Sequence, residues 1–328
     1  MSVEASSVID PQPGNGAATT AYRRLVDNVR RVIAGNDAAV EMAALCVFAD
    51  GNLLLEGVPG VGKTTLARSL AVSIGGVFSR IQATPDLLPS DLTGVSVYDQ
   101  REGSFRFMPG PVFANVVLVD EINRTPPRTQ AALLEPMEER QVTVEGSTHL
   151  LPEPYVVIAT ENPIEQHGTY PLPEGQLDRF ALSVRVGYPD DERSGAVVRR
   201  QLERHPLRDL EQAISPEEVV AAQHAVRSVY VDDAVVRYAV ELVTATRTAP
   251  GVALGASPRS SVALVRCAQT RAIAQARDHA LPDDVKALAV AALGHRLVMA
   301  HGGLEAARAT VEHLLGTVAV PLHVARSG

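Results

Sequence analysis

Apolar residues along this chain follow two rhythms. Short apolar runs at residues 53–55, 77–81, 116–119, 155–159 and 181–186 alternate with stretches of helical period. Runs of about four to six residues bounded by Gly, Pro, Asp or Asn suit strands covered on both faces. Their alternation with helices predicts an α/β fold with a mainly parallel sheet. From residue 192 onward the pattern is nearly all helical: SPEEVVAAQHAV, DDAVVRYAVELVTATR, SPRSSVALVRCAQTRAIAQAR and LPDDVKALAVAALGHRL. Ser215 and Ser257 stand at N-cap positions, each with Pro at the first helical position, whereas Leu281 before Pro282 is a poor cap. Residues 1–20 are rich in Ser, Pro, Gly, Ala and Asn without periodicity and read as a flexible tail. The expected organisation is a tail (1–20), an α/β core (21–190) and a helical domain (191–328), with the boundary near Pro189.

Two stretches break the α/β rhythm. SVYDQREGSFRFMPG alternates in character on both sides of Glu102 and Gly103, and RQVTVEGSTHLL does so around Glu145 and Gly146. Each fits a β-hairpin with Gly in its turn, although pattern alone leaves a solvated loop open.

Length and composition narrow the class. A chain of 328 residues has room for about two domains. With 46% hydrophobic and 21% charged residues it lies near the globular average, though it lacks tryptophan. A net charge of −8 disfavours broad adhesion to nucleic acid or anionic lipid and leaves only a local basic channel open. Cys46 and Cys267 stand alone, without metal-ligand spacing, and read as reduced core residues. No apolar run approaches a membrane span, and the start MSVEASSVIDPQPGNG lacks the order of a signal peptide, so a cytoplasmic location is expected.

The chemistry concentrates at the ends of the apolar runs. GVPGVGKT, residues 57–64, follows one run and opens a helical stretch. In such a loop Gly57, Gly60 and Gly62 let backbone N–H groups curl around a phosphate, with Val58, Pro59, Val61 and Thr65 completing the cradle. Lys63 would neutralise the outer phosphates, and the Thr64 hydroxyl would hold Mg²⁺. In NVVLVDEINR an apolar run leads straight into Asp120 and Glu121. Adjacent residues of a strand point to opposite sides, which gives the two carboxylates separate tasks: Asp120 for the metal, Glu121 for the attacking water. Asn162 ends the next run, where ligands of a parallel sheet gather, but alone it also fits a turn before Pro163. Arg259 falls in the first turn of a helix, where a cation opposes the helix dipole, so contact with an anion explains its placement better than stability does.

Together these motifs resemble the AAA+ ATPases, and within them the MoxR family of chaperone-like ATPases. The resemblance rests on GVPGVGKTTLA, ATPDLLPSDLTG, GPVFANVVLVDEINRTPPRTQAALLEPMEERQVTVEG, ATENPIEQHGTYPLPEGQLDRF and GASPRS. It implies a sheet in the order 5-1-4-3-2, a helical lid, and ATP with Mg²⁺ bound in a ring, commonly a hexamer. It assigns sensor 1 to Asn162, sensor 2 to Arg259, and to Arg179 the finger that enters a neighbour's site. It also places Ile33 and Gly35 at the adenine and makes the two hairpins the helix-2 and pre-sensor-1 inserts. His167 and Gly175 depart from the family wording, which bears only on local helix stability. The implied activity is ATP hydrolysis driving remodelling of partner proteins, some with a von Willebrand factor A domain. The competing readings are a DNA-translocating, helicase-like motor, which would want basic hairpin tips where this chain has Arg101, Glu102 and Glu145, and the motor subunit of a magnesium chelatase.

Overall fold

Five parallel strands form the centre of the larger compact unit, seen in a computed structural model that describes residues 13–33, 35–58, 60–162, 168–188 and 206–321. In chain order the strands are β1 (Asn52–Glu56), β2 (Phe78–Gln82), the hairpin pair β3 (Gly94–Asp99) and β4 (Ser104–Pro109), β5 (Val116–Asp120), a second hairpin β6 (Gln141–Val144) and β7 (Ser147–Leu150), β8 (Val156–Glu161) and β9 (Phe180–Arg185). The sheet runs β2-β5-β8-β1-β9. Counting only the five parallel strands, that is the expected order 5-1-4-3-2. β1 and β5 are buried along their whole length and β8 along all but its last residue, because each lies between two neighbours with helices on both faces.

β2 corrects the expectation that every run is covered on both faces. It is an edge strand in which Ile81 alone is buried, and Val77, just before it, is 61% exposed. Polar Ser79, Arg80 and Gln82 suit that position.

Both inserts are hairpins. β6 and β7 pair antiparallel around Glu145 and Gly146, whose φ values of 50° and 80° suit a two-residue turn that follows the twist of the strands. β3 pairs with β4, and the two hairpins meet where Phe107 stacks on His149 with ring centroids 4.0 Å apart.

The chain clusters into two compact units that divide at residue 220, not near residue 190. Residues after 206 are held by the core: the N–H groups of Ala213 and Ile214 donate to the Ser73 carbonyl, and Asn28 Nδ2 donates to the Glu211 carbonyl. The proposed boundary at Pro189, the stretch around His167 and the first twelve residues lie outside the described residues.

The tail reading is overturned from residue 13 onward. Pro13–Arg30 is a helix, and its first part belongs with the C-terminal unit. Ala18, Ala21 and Tyr22 are buried, and Thr19 Oγ1 donates to the Ile273 carbonyl at 2.8 Å. In the C-terminal unit the helices Asp233–Thr246, Pro258–Ala274, Pro282–Leu293 and Gly303–Thr317 follow the predicted pattern. Ser257 caps through Arg259 N–H, and Ser215 and Glu218 exchange bonds as a capping box. At Leu281 the missing cap is replaced from within the helix: fully buried Asp284 accepts the Leu281 N–H and is neutralised by Arg271 and Arg277. A two-stranded ribbon, β10 (Val252–Leu254) with β11 (Val298–Met299), interrupts the helical pattern. Cys46 and Cys267 are free and buried, and burial pushes the Cys267 thiol up to about 12.

Candidate functional site

The loop after β1 is shaped by two glycines for different reasons. A Cβ on Gly57 would fall 2.3 Å from the Val186 carbonyl, so the backbone passes the residue that follows β9 at a distance only Gly tolerates. Gly62 has φ +93° and opens the helix Lys63–Ser73, a conformation that side-chain-bearing residues rarely adopt. Gly60 and Val61 complete the described turn beside Val58, and Pro59 lies outside the described residues. Thr64 and Thr65 are partly exposed in the first helical turn, where unpaired N–H groups and the helix dipole favour an anion.

Lys63 is buried and donates to the Gly57 carbonyl at 2.5 Å. Burial lowers its pKa, while the charges of Asp120 and Glu121 oppose that shift. The loop lysine and both carboxylates therefore share one electrostatic neighbourhood at the carboxyl ends of β1 and β5, where an open parallel sheet gathers its ligands.

Asp120 is buried at the end of β5. Its Oδ1 accepts from Thr160 Oγ1 at 2.7 Å and its Oδ2 pairs with Arg80 at 2.7 Å. Glu121 does not continue the strand: at φ 59° and ψ 48° it lies in the left-handed region, which costs a non-glycine residue about 1–2 kcal/mol. The separation of the two carboxylates thus comes from a backbone turn and not from the side-to-side alternation expected of strand neighbours. Glu121 N–H donates to Thr160 Oγ1 at 2.8 Å, and Arg124 Nε pairs with its carboxylate at 2.9 Å. Asn162 is buried two residues beyond Thr160.

Arg179 pairs within its own chain. It donates to Glu138, at 2.9 Å from both Nε and Nη2, and to the Gly175 carbonyl. Asn52 Nδ2 fixes its backbone carbonyl at 3.3 Å, which ties the base of the side chain to the start of β1. Arg259 is exposed and belongs to the C-terminal unit. Ile33 is buried with its N–H on the Val29 carbonyl, and Gly35 has φ +83°.

Four residues with positional roles escape a sequence reading: Thr160, Arg80, Arg124 and Gln130. Gln130, 1% exposed, donates to the Thr125 carbonyl at 3.1 Å and the Tyr170 carbonyl at 3.2 Å. It thereby joins the turn after Glu121 to the segment that leads to Arg179. Only the position of Thr160, two residues before Asn162, could have drawn attention, since side chains two apart share a strand face.

A second acid pair lies beside the cradle. Glu56 and Glu161 are register partners at the ends of β1 and β8, and Ser183 donates to Glu56. Burial first, and the Glu56 charge second, push the Glu161 carboxyl up to about 7. Between its ordinary pKa of 4.5 and about 7 the folded protein holds a proton that the unfolded chain has released. Stability contributed by this group is therefore intact below pH 4.5 and lost as pH rises to about 7. Glu161→Gln should raise the melting temperature by a few degrees at pH 8 and leave it unchanged near pH 4.5, as read by calorimetry. An equal shift at both pH values would remove the ionisation of Glu161 as the cause.

Comparison with known proteins agrees with this geometry. Residues 52–182 match the ATPase family associated with various cellular activities (AAA), and residues 244–314 match the AAA lid domain. Chaperone MoxR1 of Mycobacterium tuberculosis is 39% identical over 94% of this chain and 84% of its own length. The uncharacterized protein YeaC of Bacillus subtilis is 46% identical over 91% of this chain and 94% of its own length. A crystal structure of a Cytophaga hutchinsonii protein superposes with a TM-score of 0.85 at 36% identity, covering 94% of this chain and 97% of that one. With phosphate loop, carboxylate pair, sheet order and lid in place, the chain belongs to the MoxR family of AAA+ ATPases and hydrolyses ATP.

Proposed function

We propose that the protein is a chaperone-like motor that works as a ring, commonly a hexamer, and uses ATP hydrolysis to remodel or mature partner proteins. The observation that carries the reading is the joint placement of Lys63, Asp120 and Glu121 at the strand ends, with Asp120 and Glu121 fixed through one hydroxyl. Residues 57–65 cradle the phosphates, Lys63 neutralises them, and Glu121 takes a proton from the attacking water. Asn162 orients that water or the terminal phosphate. Arg179 of an adjacent copy and Arg259 of the lid balance the charge that develops on the transferring group, and Ile33 and Gly35 meet the adenine.

Thr64 and Asp120 are the residues that would hold Mg²⁺. The donor set fits: a hydroxyl and a carboxylate are hard oxygen ligands, and each Asp120 oxygen keeps a lone pair beyond its bond to Thr160 or Arg80. When bound, the ion supplies charge neutralisation between the outer phosphates.

A protein client, some of whose kind carry a von Willebrand factor A domain, suits this surface better than DNA. The tips of the hairpins present Arg101, Glu102 and Glu145, a mixed set on a chain of net charge −8, where a phosphate track needs cations. Among the described residues no helix is long and apolar enough to cross a membrane, and the proposed location is the cytoplasm. A shared site makes ATPase per protomer depend on concentration: diluted through the assembly range, the protein should lose most of its specific activity, in step with dissociation seen by light scattering. Constant specific activity in a sample shown to be monomeric would end the ring proposal. Stimulation of the ATPase by DNA in low salt would favour the helicase-like reading, and stimulation by a porphyrin with partner subunits the chelatase-like one.

A further inference from the structure

We propose that Thr160 is a positioning residue for hydrolysis, its single hydroxyl setting the placement of both Asp120 and Glu121. The inference rests on the reading that Asp120 serves the metal and Glu121 the water.

A hydroxyl has one proton to give, and here its direction is fixed by its partners. The Asp120 carboxylate can only accept, so Thr160 Oγ1 donates to Oδ1 at 2.7 Å. The Glu121 N–H can only donate, so the same oxygen accepts it at 2.8 Å. No rotation of the hydroxyl reverses either bond while both partners remain. Thr160 is 0% exposed, so water does not compete for either contact.

The sheet leaves these two groups in need of such a partner. Register between β5 and β8 runs from Val116 and Val156 to Val119 and Ala159 and stops there. The next residues leave the ladder just where the chain turns, and Glu121 adopts its left-handed conformation at that point. Its N–H thus has no strand partner, and the Thr160 side chain takes the place of the ladder. Asn162 directly follows β8, two positions beyond Thr160, so the strand that leads into Asn162 also sets the Asp–Glu pair. A displacement of β8 is transmitted to both carboxylates through one atom.

Two substitutions separate the hydroxyl from the bulk of the side chain. Thr160→Val keeps the shape and removes donor and acceptor together, whereas Thr160→Ser keeps both. Thr160→Val should lower kcat at least about tenfold, in line with the cost of misplacing groups by an ångström or less. It should raise severalfold the Mg²⁺ concentration that half-saturates binding of a fluorescent ATP analogue. Its affinity for that analogue at saturating Mg²⁺ should stay within about threefold of the parent, so the loss falls on kcat and not on KM. Thr160→Ser should recover kcat and the Mg²⁺ requirement to within about threefold. Should Thr160→Val not accumulate as folded protein, Thr160→Cys, whose thiol is a weak donor, takes its place with the same losses expected.

The proposal is overturned if the hydroxyl-free variant keeps the parental kcat and Mg²⁺ requirement. It is equally overturned if Thr160→Ser loses as much as Thr160→Val, since a side chain that only fills space would behave so. Failure of the underlying assignment reads differently: Glu121→Gln would then hydrolyse at the parental rate, whatever the Thr160 variants do.

Discussion

Glu121→Gln is expected to bind ATP with an affinity within a few-fold of the parent and to hydrolyse it about 10²- to 10⁴-fold more slowly, the range that a positioned general base contributes. The substitution is a clean one in this site. Glutamine keeps an oxygen that Arg124 Nε can meet, now at 2.9 Å from the carboxylate, and the backbone N–H stays on Thr160. What it removes is the ability to take a proton from water, together with a charge that, after Asp120, opposes the lowering of the Lys63 pKa by burial. Single-turnover measurements separate the two effects: loss of the base slows the chemical step of bound ATP, whereas loss of the Lys63 partner weakens binding. A variant that binds and hydrolyses at the parental rate would require another base. If the proposed remodelling function holds, a slow variant that retains ATP is the form with which to capture a client.

The sequence carries the fold more fully than it carries the site. β1, β5 and β8 are continuous apolar runs because neighbours and helices cover them from every side, and such burial leaves a one-dimensional trace. β2 leaves a weaker trace, since an edge strand needs only one inward side chain, Ile81. The helix over residues 13–20 is invisible because PGNGAATT has no periodicity and its two alanines are outweighed by Pro, Asn, two Gly and two Thr; it is fixed by packing of Ala18, Ala21 and Tyr22 and by a bond from Thr19 to a carbonyl 254 residues away. Glycines, Lys63, Asp120 and Glu121 are legible because phosphate chemistry demands those residue types at those spacings. Thr160, Arg80 and Gln130 are not, because each acts on a partner brought close only by the sheet or by a loop crossing it. Thr160 illustrates the limit: in the chain it is a polar residue at the end of an apolar run, and its meaning depends on the residues 39 and 40 positions earlier.

Arg179→Ala should reduce ATPase in assembled protein by about 10³-fold or more, the lower end of what a trans arginine contributes in GTPases. The local geometry offers a rival account, in which Arg179 only fastens the short helix Glu174–Leu177, through its Gly175 carbonyl, to Glu138. That side chain is partly buried and paired with Glu138, so a finger would have to exchange this partner for a phosphate. Glu138→Ala separates the accounts. If the ion pair is the function, it should match Arg179→Ala in activity and in lost thermal stability; if the pair merely parks a finger, it should keep activity. Mixing gives the sharper test. Arg179→Ala subunits retain Glu121, and Glu121→Gln subunits retain Arg179, so neither assembles a complete site alone. In an equimolar, freely exchanging ring roughly a quarter of the contacts would join an intact cleft to an intact arginine, and activity should recover to about that fraction. Recovery on mixing cannot arise from a residue that serves only its own chain, whereas its absence in rings shown to have exchanged subunits would return Arg179 to a structural role within one protomer.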